Sequence, residues 1–291
     1  MTTYWIDPTS GDDANDGTTK ALAVETFTYL DGLLSNDDSV KIVDGTHDVS
    51  GQLGSTIFSQ TGLTFDSESS NPTGCILDAG GGSMDFQLSD GVTFKNVTFN
   101  DYLQVSNKGV LGINESDATY TFSNLYFKEI DLPSAYQSCI YNSKKTDVTM
   151  NISGCAFINF KGDIGYTQGC VATQNSSGLT INMSNCVYYC DSTGVAQNLF
   201  GQRLDTTVDV NIKNLIVYTE ATMSLYQTTA PWTGTFDIGY SDLYGVGGVT
   251  ISTNLFTLGS GMIATDPLLV DPANLLFSLQ QGSPCIDTGG V

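Results

Sequence analysis

Basic residues, histidine and long apolar stretches are scarce in this 291-residue sequence. Ten Lys and Arg oppose 31 Asp and Glu, which gives a formal net charge of −21. Because nucleic acids and anionic membrane surfaces attract proteins through clustered Lys and Arg, we expect neither as a partner. No run of about 18 apolar residues occurs, so we expect no membrane insertion. Apolar residues still make up 40% of the chain, which suffices for a folded core.

The seven cysteines form no Cys-x-x-Cys pair, and His47 is the single histidine. A zinc site of the usual Cys and His type therefore has almost no support. Two cysteine spacings are equal, because Cys139 to Cys170 and Cys155 to Cys186 are both 31 residues. Such spacing predicts cysteines stacked in neighbouring repeats as buried free thiols, since directly stacked parallel positions suit disulfide torsions poorly.

A segment of eight residues recurs about every 29 residues and predicts β-strands. Apolar residues alternate on both sides of a central fifth position, and the alternation changes phase there, as expected where a strand bends with its apolar side still inward. The fifth residue is Asn in four of the six segments, and Asn tolerates the left-handed backbone of a sharp bend. The segments are 92–99, 120–127, 150–157, 181–188, 210–217 and 238–245, with fifth residues 28, 30, 31, 29 and 28 positions apart.

A second short strand follows in each repeat at a similar spacing, for example at 110–113, 139–142 and 170–173. Units of this length, built from short strands and bends with almost no helix pattern, predict a parallel β-solenoid, an all-β fold. The sequence has neither the Leu-x-x-Leu-x-Leu frame of leucine-rich repeats nor the longer unit of propeller blades. The Asn positions are therefore interpreted as structural corners.

Both ends of the chain resemble those of a known family. The opening Tyr4-Trp-Ile-Asp-Pro8 with the loop at 11–17, and the ending Asp266-Pro-Leu-Leu-Val-Asp-Pro272, are similar to right-handed parallel β-helix proteins of the pectate-lyase-like superfamily. This resemblance covers nearly the whole chain and implies a single domain over 1–291. It implies a cap at 1–38 with a short helix near 25–34, coils at 39–262 and a closing segment at 263–291. A bacteriophage tailspike-like member is one interpretation.

Acidic residues follow the first strand of successive repeats and predict a line of carboxylates along one edge. Stacked carboxylates repel each other unless water or a cation such as Ca²⁺ lies between them, and the alternative is a loop edge kept soluble and unpaired. Exposed aromatic residues, among them Tyr102, Tyr136, Tyr166 and Tyr244, could add sugar-stacking surfaces. The candidate ligand-binding residues are Asp101, Glu129, Asp131, Asp191, Glu220 and Trp232, with Asp163 in the same line.

The loop at 12–17 carries oxygen ligands at roughly the spacing of a calcium loop. Asp12, Asp13, Asn15 and Asp16 are the candidate metal ligands, although the distal bidentate Glu is missing. A turn held by Asp and Asn side chains explains the loop equally well.

Residues for catalysis are few. Uronate β-elimination needs a base, typically Lys or Arg in this superfamily, beside a metal or cation that neutralises the substrate carboxylate. Lys161 near Asp163 is the best-arranged catalytic candidate in the coils, and a solvated loop lysine is the alternative. The Asp, Gly-His-Gly and Arg-x-Lys set of the polygalacturonases is absent from the sequence.

Three functions remain open from the sequence. We expect first a non-enzymatic structural or adhesive component of a bacteriophage particle, located in the virion, with host-surface polysaccharide as a candidate ligand and no required cofactor. The partners would then be other virion proteins or further copies of the chain, for example in a trimer. The second is a carbohydrate-active enzyme, in particular a calcium-assisted polysaccharide lyase. The third is a secreted bacterial surface protein whose signal peptide has been removed. Met1-Thr2-Thr3-Tyr4 leads straight into polar residues, so we expect either that the chain is not secreted by that route or that its signal was trimmed.

Overall fold

The computed structural model describes residues 1–52, 54–103, 108–132, 137–143, 145–162, 169–174, 176–191, 197–203, 207–228, 234–253 and 255–286. None of the helices in these ranges is long and apolar enough to cross a membrane. The single α-helix of these ranges is α1 (Phe27–Asp31), and the 3-10 helices are Lys20–Leu22, Ser50–Gln52, Val246–Gly248 and Pro272–Asn274. All remaining regular structure is β-strand.

The strands of the first half are β1 (Thr3–Ile6), β2 (Ser39–Ile42), β3 (Gly45–Asp48), β4 (Gly54–Phe58), β5 (Thr64–Ser67), β6 (Cys75–Asp78), β7 (Met84–Leu88), β8 (Thr93–Lys95), β9 (Thr98–Asn100), β10 (Lys108–Ile113), β11 (Thr119–Ser123), β12 (Tyr126–Lys128), β13 (Asp131–Leu132) and β14 (Gln137–Ser143). Those of the second half are β15 (Thr149–Ser153), β16 (Ala156–Ile158), β17 (Lys161–Gly162), β18 (Gly169–Gln174), β19 (Leu179–Ser184), β20 (Val187–Cys190), β21 (Gln197–Arg203), β22 (Val208–Lys213), β23 (Ile216–Thr219), β24 (Met223–Thr228), β25 (Phe236–Gly239), β26 (Asp242–Gly245), β27 (Ile251–Ser252), β28 (Thr257–Leu258), β29 (Leu269–Asp271) and β30 (Leu276–Leu279).

Three long parallel sheets form the walls of a β-solenoid. Sheet A has the order β1-β2-β5-β8-β11-β15-β19-β22-β25-β28, sheet B runs β3-β6-β9-β12-β16-β20-β23-β26, and sheet C runs β4-β7-β10-β14-β18-β21-β24-β27. Each strand pairs in parallel with its equivalent one coil later, as Phe122 does with Ile152 and Ile152 with Met183. The predicted all-β parallel β-helix fold, with coils of about 29 residues, is confirmed.

The interior is a column of aromatic and aliphatic side chains. Phe99, Phe127 and Phe157 stack on one another in successive coils, with ring centroids 5.3 and 5.5 Å apart and interplanar angles of 14° and 6°. Such offset stacking adds to the burial of apolar area that holds one coil on the next.

All seven cysteines are free thiols, as predicted, and six of them are buried. Burial raises the pKa of Cys139, Cys155 and Cys170 well above the ordinary value, so these thiols stay protonated and act as small core side chains.

The corner between sheets A and B is formed by residues with a left-handed backbone. This corner column consists of Asn96, Asn124, Gly154, Asn185 and Asn214, with φ between 53° and 63°. Neighbouring amides bond along it, because Nδ2 of Asn124 donates to Oδ1 of Asn96 at 3.0 Å and Nδ2 of Asn214 donates to Oδ1 of Asn185 at 2.9 Å. The structural interpretation of the Asn positions is therefore correct.

The predicted alignment of the last repeat is wrong by two residues. Asp242 was aligned with Asn214, but the strand pairing of Ile212 with Ile238 places Tyr240 at the corner, where its φ is 51°. Asp242 instead pairs with Ile216, two positions after the corner. The coil that separates Asn214 from the next corner is shorter than the others, so a pattern based on constant spacing passes over it.

The N-terminal cap contains the predicted helix, although it is shorter than expected. Thr26 precedes α1, and its hydroxyl accepts the Tyr29 N–H at 3.2 Å, which is a helix N-cap. Phe27 inserts its ring edge-on against Phe86, with centroids 4.9 Å apart, and so covers the end of the core.

The C-terminal segment lies on the outer side of sheet B. Strands β29 and β30 pair in an antiparallel arrangement, here called the closing hairpin. Leu269 from β29 packs with Ala156, Ile158 and Tyr189, and the Phe277 ring meets the Tyr126 ring edge-on at 5.6 Å. The hairpin therefore forms a second, smaller apolar layer and gives sheet B an outer surface with grooves on both sides.

The corner column predicts the effect of substituting Gly154. An ideal Cβ there would lie 2.3 Å from Oδ1 of Asn124, so Gly154→Ala must displace that amide and also adopt a left-handed backbone. We expect a loss of about 1–2 kcal/mol in the free energy of unfolding, measured by urea titration.

Gly154→Asn should cost less than Gly154→Ala, because Asn accepts the left-handed backbone and its amide can bond Asn124 as the other members of the column do. Gly51→Ala is the matched control, since an added Cβ at Gly51 meets nothing within 4 Å, and it should change stability by less than about 0.5 kcal/mol. Equal losses for both Gly154 variants would contradict the role of the column.

Candidate functional site

The predicted line of carboxylates is present at the edge between sheets B and C but is interrupted. Asp101 and Glu129 occupy equivalent left-handed positions with φ of 53° and 54°, and Asn159 takes the next position with φ of 50°. Asp131 starts β13, which pairs with Lys161 of β17. In the next coil, the positions equivalent to Glu129 and Asp131 are therefore occupied by Asn159 and Lys161, which interrupts the acidic column.

Asp191 and Glu220 follow β20 and β23, which are neighbours in sheet B. The Asp191 N–H donates to Oδ1 of Asn159 at 3.1 Å, and the Glu220 N–H donates to the Cys190 carbonyl at 3.0 Å. These backbone bonds fix the two carboxylates in consecutive coils beside the outer face of sheet B. Of the predicted ligand-binding residues, they are the two that lie beside outward tyrosines of sheet B.

Several candidates fall outside the described part of the chain. Asp163 and Trp232 belong to this group, as do Tyr136 and Tyr166, and for Lys161 the backbone is described without its side chain. The catalytic pair Lys161 and Asp163 therefore stays a prediction. Tyr102, expected to be exposed, is instead fully buried, with its ring 5.9 Å from that of Phe99.

The loop at 12–17 uses its carboxylates to hold the backbone. Oδ1 of Asp13 accepts the N–H groups of Glu25 and Thr26 at 2.8 and 2.9 Å, which ties the loop to the start of α1. Asp12 accepts the Ala14 N–H, and Asp16 accepts both the N–H and the hydroxyl of Thr18. These bonds are those of a turn held by its Asp side chains, the alternative reading of this loop.

Three tyrosines from successive coils form a strip on the outer face of sheet B. Tyr189, Tyr218 and Tyr244, here called the tyrosine strip, pair in register across β20, β23 and β26. The ring centroids are 5.2 Å apart between Tyr189 and Tyr218 and 5.8 Å apart between Tyr218 and Tyr244. Parallel pairing in register places the same outward position of each coil directly above the last, which is why the rings line up.

Carboxylates flank this strip. The Tyr189 hydroxyl lies 3.4 Å from Oδ2 of Asp191, and burial together with the charge of Asp191 raises the pKa of Tyr189 to about 12. Burial raises the pKa of Tyr218 as well, and the charges of Glu220 and Asp266 add to that shift. The phenols therefore stay protonated at neutral pH and can donate hydrogen bonds.

A cavity of about 260 Å³ separates the tyrosine strip from the closing hairpin. It combines two aromatic rings, one carboxylate, one amide and aliphatic side chains. Its lining residues are Tyr189, Tyr218, Asp266, Leu268, Leu269, Pro272 and Gln280.

A larger groove of about 740 Å³ lies on the opposite side of the closing hairpin, beside the corner column. Asn185 and Asn214 line one wall, while Phe277 and Leu279 of β30 line the other. At its end the Cys285 thiol donates to Oδ2 of Asp242 at 3.1 Å, and the Thr265 N–H donates to Oδ1 at 3.1 Å. These two bonds attach the C-terminal segment to the last coil of sheet B.

The Asp242 carboxylate is 2% exposed, and its environment favours the protonated form. Burial raises the pKa of Asp242 above its ordinary value, although the hydrogen bonds from Cys285 and Thr265 act in the opposite direction. Burial also raises the pKa of Cys285 to about 12, and the nearby Asp242 charge adds to that shift. A protonated thiol of this kind is a hydrogen-bond donor and a poor nucleophile.

Sequence reasoning missed Tyr189, Tyr218 and Asp266 as members of a common site. The wrong alignment of the last repeat placed Tyr244 two positions away from Tyr218, so the outward column of tyrosines was not visible. Reading the second and fourth positions after the corner, which point outward, would have found Tyr189 and Tyr218. Asp266 reaches the site through the closing hairpin, which no repeat pattern indicates.

Among the described residues, no group of three or more His, Cys, Asp or Glu side chains could hold a metal ion. The arrangement at the tyrosine strip offers aromatic surface, hydroxyl donors and carboxylate acceptors. These are the groups that bind polyhydroxylated ligands by apolar contact and hydrogen bonding.

No protein-family model and no curated protein match this chain. Solved structures with a similar course of the chain include pectate lyase Pel9A, with a TM-score of 0.43, 11% identity and coverage of 100% of this chain and 92% of that one. A rhamnogalacturonan lyase gives a TM-score of 0.41 and 11% identity over 93% and 91% of the two chains. ORF18 of Geobacillus virus E2 gives 0.26 and 10% identity over 89% and 62%. Similarities this distant carry no argument about activity.

The buried carboxylate predicts a pH effect on stability. Because the folded-state pKa of Asp242 is raised above 3.8, folding favours its protonated form, and its contribution to stability is lost as pH rises from about 3.8 through the raised value. We therefore expect the free energy of unfolding of Asp242→Asn, relative to that of the wild type, to increase over this range and then level off. Urea titrations at a series of pH values measure this difference.

Cys285→Ala provides the comparison for Asp242→Asn. It removes the thiol hydrogen bond that opposes the shift, so the decline in stability of this variant should extend to higher pH than in the wild type. A stability difference between Asp242→Asn and wild type that is constant across pH would contradict the assignment.

Proposed function

We propose that this chain is a non-enzymatic, glycan-binding structural protein and that it serves as an adhesive component of a bacteriophage particle. The observation that carries the glycan-binding part is the tyrosine strip with its flanking carboxylates and the cavity beneath the closing hairpin. Sugars present apolar C–H faces and hydroxyl groups together. A surface of aromatic rings beside hydrogen-bond donors and acceptors is complementary to both.

The rigid position of the strip supports binding without a large ordering cost. Tyr189 and Tyr218 lie on strands that are hydrogen-bonded to both neighbouring coils, and Leu269 of the hairpin packs against the Tyr189 side. Side chains held in this way lose little conformational freedom when a ligand binds.

The location on a particle is supported by the form of the scaffold. In each of the three long sheets, eight or ten strands stack along one direction, and each coil is hydrogen-bonded to the next. Such a scaffold can hold a binding surface away from the place where it is anchored. A secreted bacterial surface protein would use the same property, and the location therefore needs its own test.

Binding of oligosaccharides tests the glycan function. We expect the purified chain to retain glycans from a panel of neutral, amino-sugar and uronate oligomers, and Tyr218→Ala to weaken that binding about three- to tenfold, as for the loss of one aromatic contact. Isothermal titration calorimetry measures the affinities, and thermal unfolding of the variant establishes that it is folded.

Tyr29→Ala is the matched control, because Tyr29 is 38% exposed on the N-terminal cap and should not affect binding. The same samples, incubated with uronate polymers and Ca²⁺, should show no rise in absorbance from an unsaturated product. Such a rise, abolished by Lys161→Ala, would replace the proposal by the lyase alternative. Binding unchanged in Tyr218→Ala would refute the assigned site.

Mass spectrometry of purified particles tests the location. If the chain is a virion component, its peptides should copurify with capsid and tail proteins through a density gradient in a fixed ratio. Their absence from the particle fraction, with recovery in the culture medium of a bacterium, would favour the secreted surface protein.

A further inference from the structure

Among the described residues, carboxylates supply negative charge beside Tyr189 and Tyr218. The groups that raise the pKa of Tyr189 through their charge are Asp191 and Glu220, together with the neighbouring Tyr218. Those that raise the pKa of Tyr218 include Glu220, Asp266 and Asp191.

The three carboxylates lie next to three different strands and close to the tyrosine strip. Asp191 follows β20 and Glu220 follows β23, so both lie at the edge between sheets B and C. Asp266 precedes β29 and lines the cavity from the opposite side. A ligand in the cavity therefore meets the Asp266 carboxylate directly and lies beside Asp191, whose Oδ2 is 3.4 Å from the Tyr189 hydroxyl.

The nearest basic residue in the same outward column is two coils away. In sheet B, Lys128 pairs with Ile158 of the next coil, and Ile158 pairs with Tyr189 of the coil after that. Nζ of Lys128 lies 3.8 Å from Oε1 of Glu129, so this neighbouring carboxylate offsets part of the lysine charge. Of the other basic side chains with a described position, Lys20 pairs with Glu68, Lys145 precedes β15, and three belong to strands of sheet A, namely Lys41, Lys95 and Lys213.

We propose that the tyrosine strip selects glycans that carry protonated amino groups over their uncharged or uronate counterparts. The inference rests on the proposed glycan-binding function and names the class of sugar for that site. It draws on the aromatic strip, the cavity and the sign of the surrounding charge together.

Two effects favour an ammonium group at this position. Its charge pairs with the carboxylates, and an aromatic ring attracts a cation that approaches its face. A uronate carboxylate would instead be repelled by the same acidic groups. Because the carboxylates are partly exposed, salt should screen the preference, with a Debye length of about 8 Å at physiological ionic strength.

Oligosaccharides that differ in charge distinguish an effect of charge on the affinity from an effect of shape. The probes are a hexamer of glucosamine, a hexamer of N-acetylglucosamine and an oligomer of galacturonate, titrated at pH 6 in low and high salt. At low salt we expect the glucosamine hexamer to bind about tenfold more tightly than the acetylated hexamer, as for a few exposed charge pairs, and galacturonate to bind most weakly. High salt should bring the first two affinities together.

A double variant tests the carboxylates themselves. Asp191→Asn with Glu220→Gln should weaken binding of the glucosamine hexamer more than binding of the acetylated hexamer and so abolish most of the preference, because Asn and Gln keep an oxygen acceptor but lose the charge. Glu25→Gln is the matched control, because it removes one exposed acidic charge from the cap, outside the site. It should preserve the full preference.

The outcomes distinguish this inference from the function on which it rests. If Tyr218→Ala weakens binding of both hexamers and the wild type binds them equally, the glycan function stands and the charge selectivity is refuted. If no probe binds to the wild-type chain, both are refuted. A preference for glucosamine that survives in the double variant would also overturn the role of these carboxylates.

Discussion

The corner between sheets A and B is the constraint on which the rest of the structure depends. From Asn96 to Tyr240 the coils turn there at a single left-handed residue, a backbone that most amino acids disfavour by about 1–2 kcal/mol. The chain meets this requirement with Asn or Gly in five successive coils, and with Tyr240 in the next. Because these coils turn at equivalent residues, their strands stack in register and Phe99, Phe127 and Phe157 lie on one another.

The same register determines the outer surface. A side chain two or four positions after the corner always points away from the core, so equivalent outward residues form columns along the solenoid. In one such column the residues are Asn100, Lys128, Ile158, Tyr189, Tyr218 and Tyr244. Ile158 and Tyr189 are covered by the closing hairpin, whereas Tyr218 and Tyr244 are partly exposed beside the acidic edge. The closing hairpin therefore restricts the part of the strip that a ligand can reach from solvent to the side of Tyr218 and Tyr244.

The fold could be predicted from the sequence because the repeat pattern reports directly on the corner and on the inward alternation. The site could be predicted only in part. Asp191 and Glu220 were found, because each follows a strand at a regular distance. Tyr189 and Tyr218 were missed, because outward positions carry no common residue type through the repeats, and the shorter last coil displaced Tyr244 from the alignment. Asp266 depends on the docking of the hairpin, a long-range contact that local patterns do not encode.

The corner column also has a direction. Asp66 accepts the Asn96 amide at 2.7 Å through Oδ1, and a carboxylate can only accept, so Asn96 must present its nitrogen to Asp66 and its oxygen to Asn124. Although burial opposes it, hydrogen bonds from Asn96 and Lys41 lower the pKa of Asp66, which keeps this acceptor ionised. On the outer face of sheet A, Asn211 donates to Asn182 and Asn182 donates to Asn151 in the same sense. A run of this kind has two different ends, because its first amide directs a nitrogen donor toward the preceding coil and its last amide directs an oxygen acceptor the other way. A coil stacked before the corner column must therefore supply an acceptor, as Asp66 does.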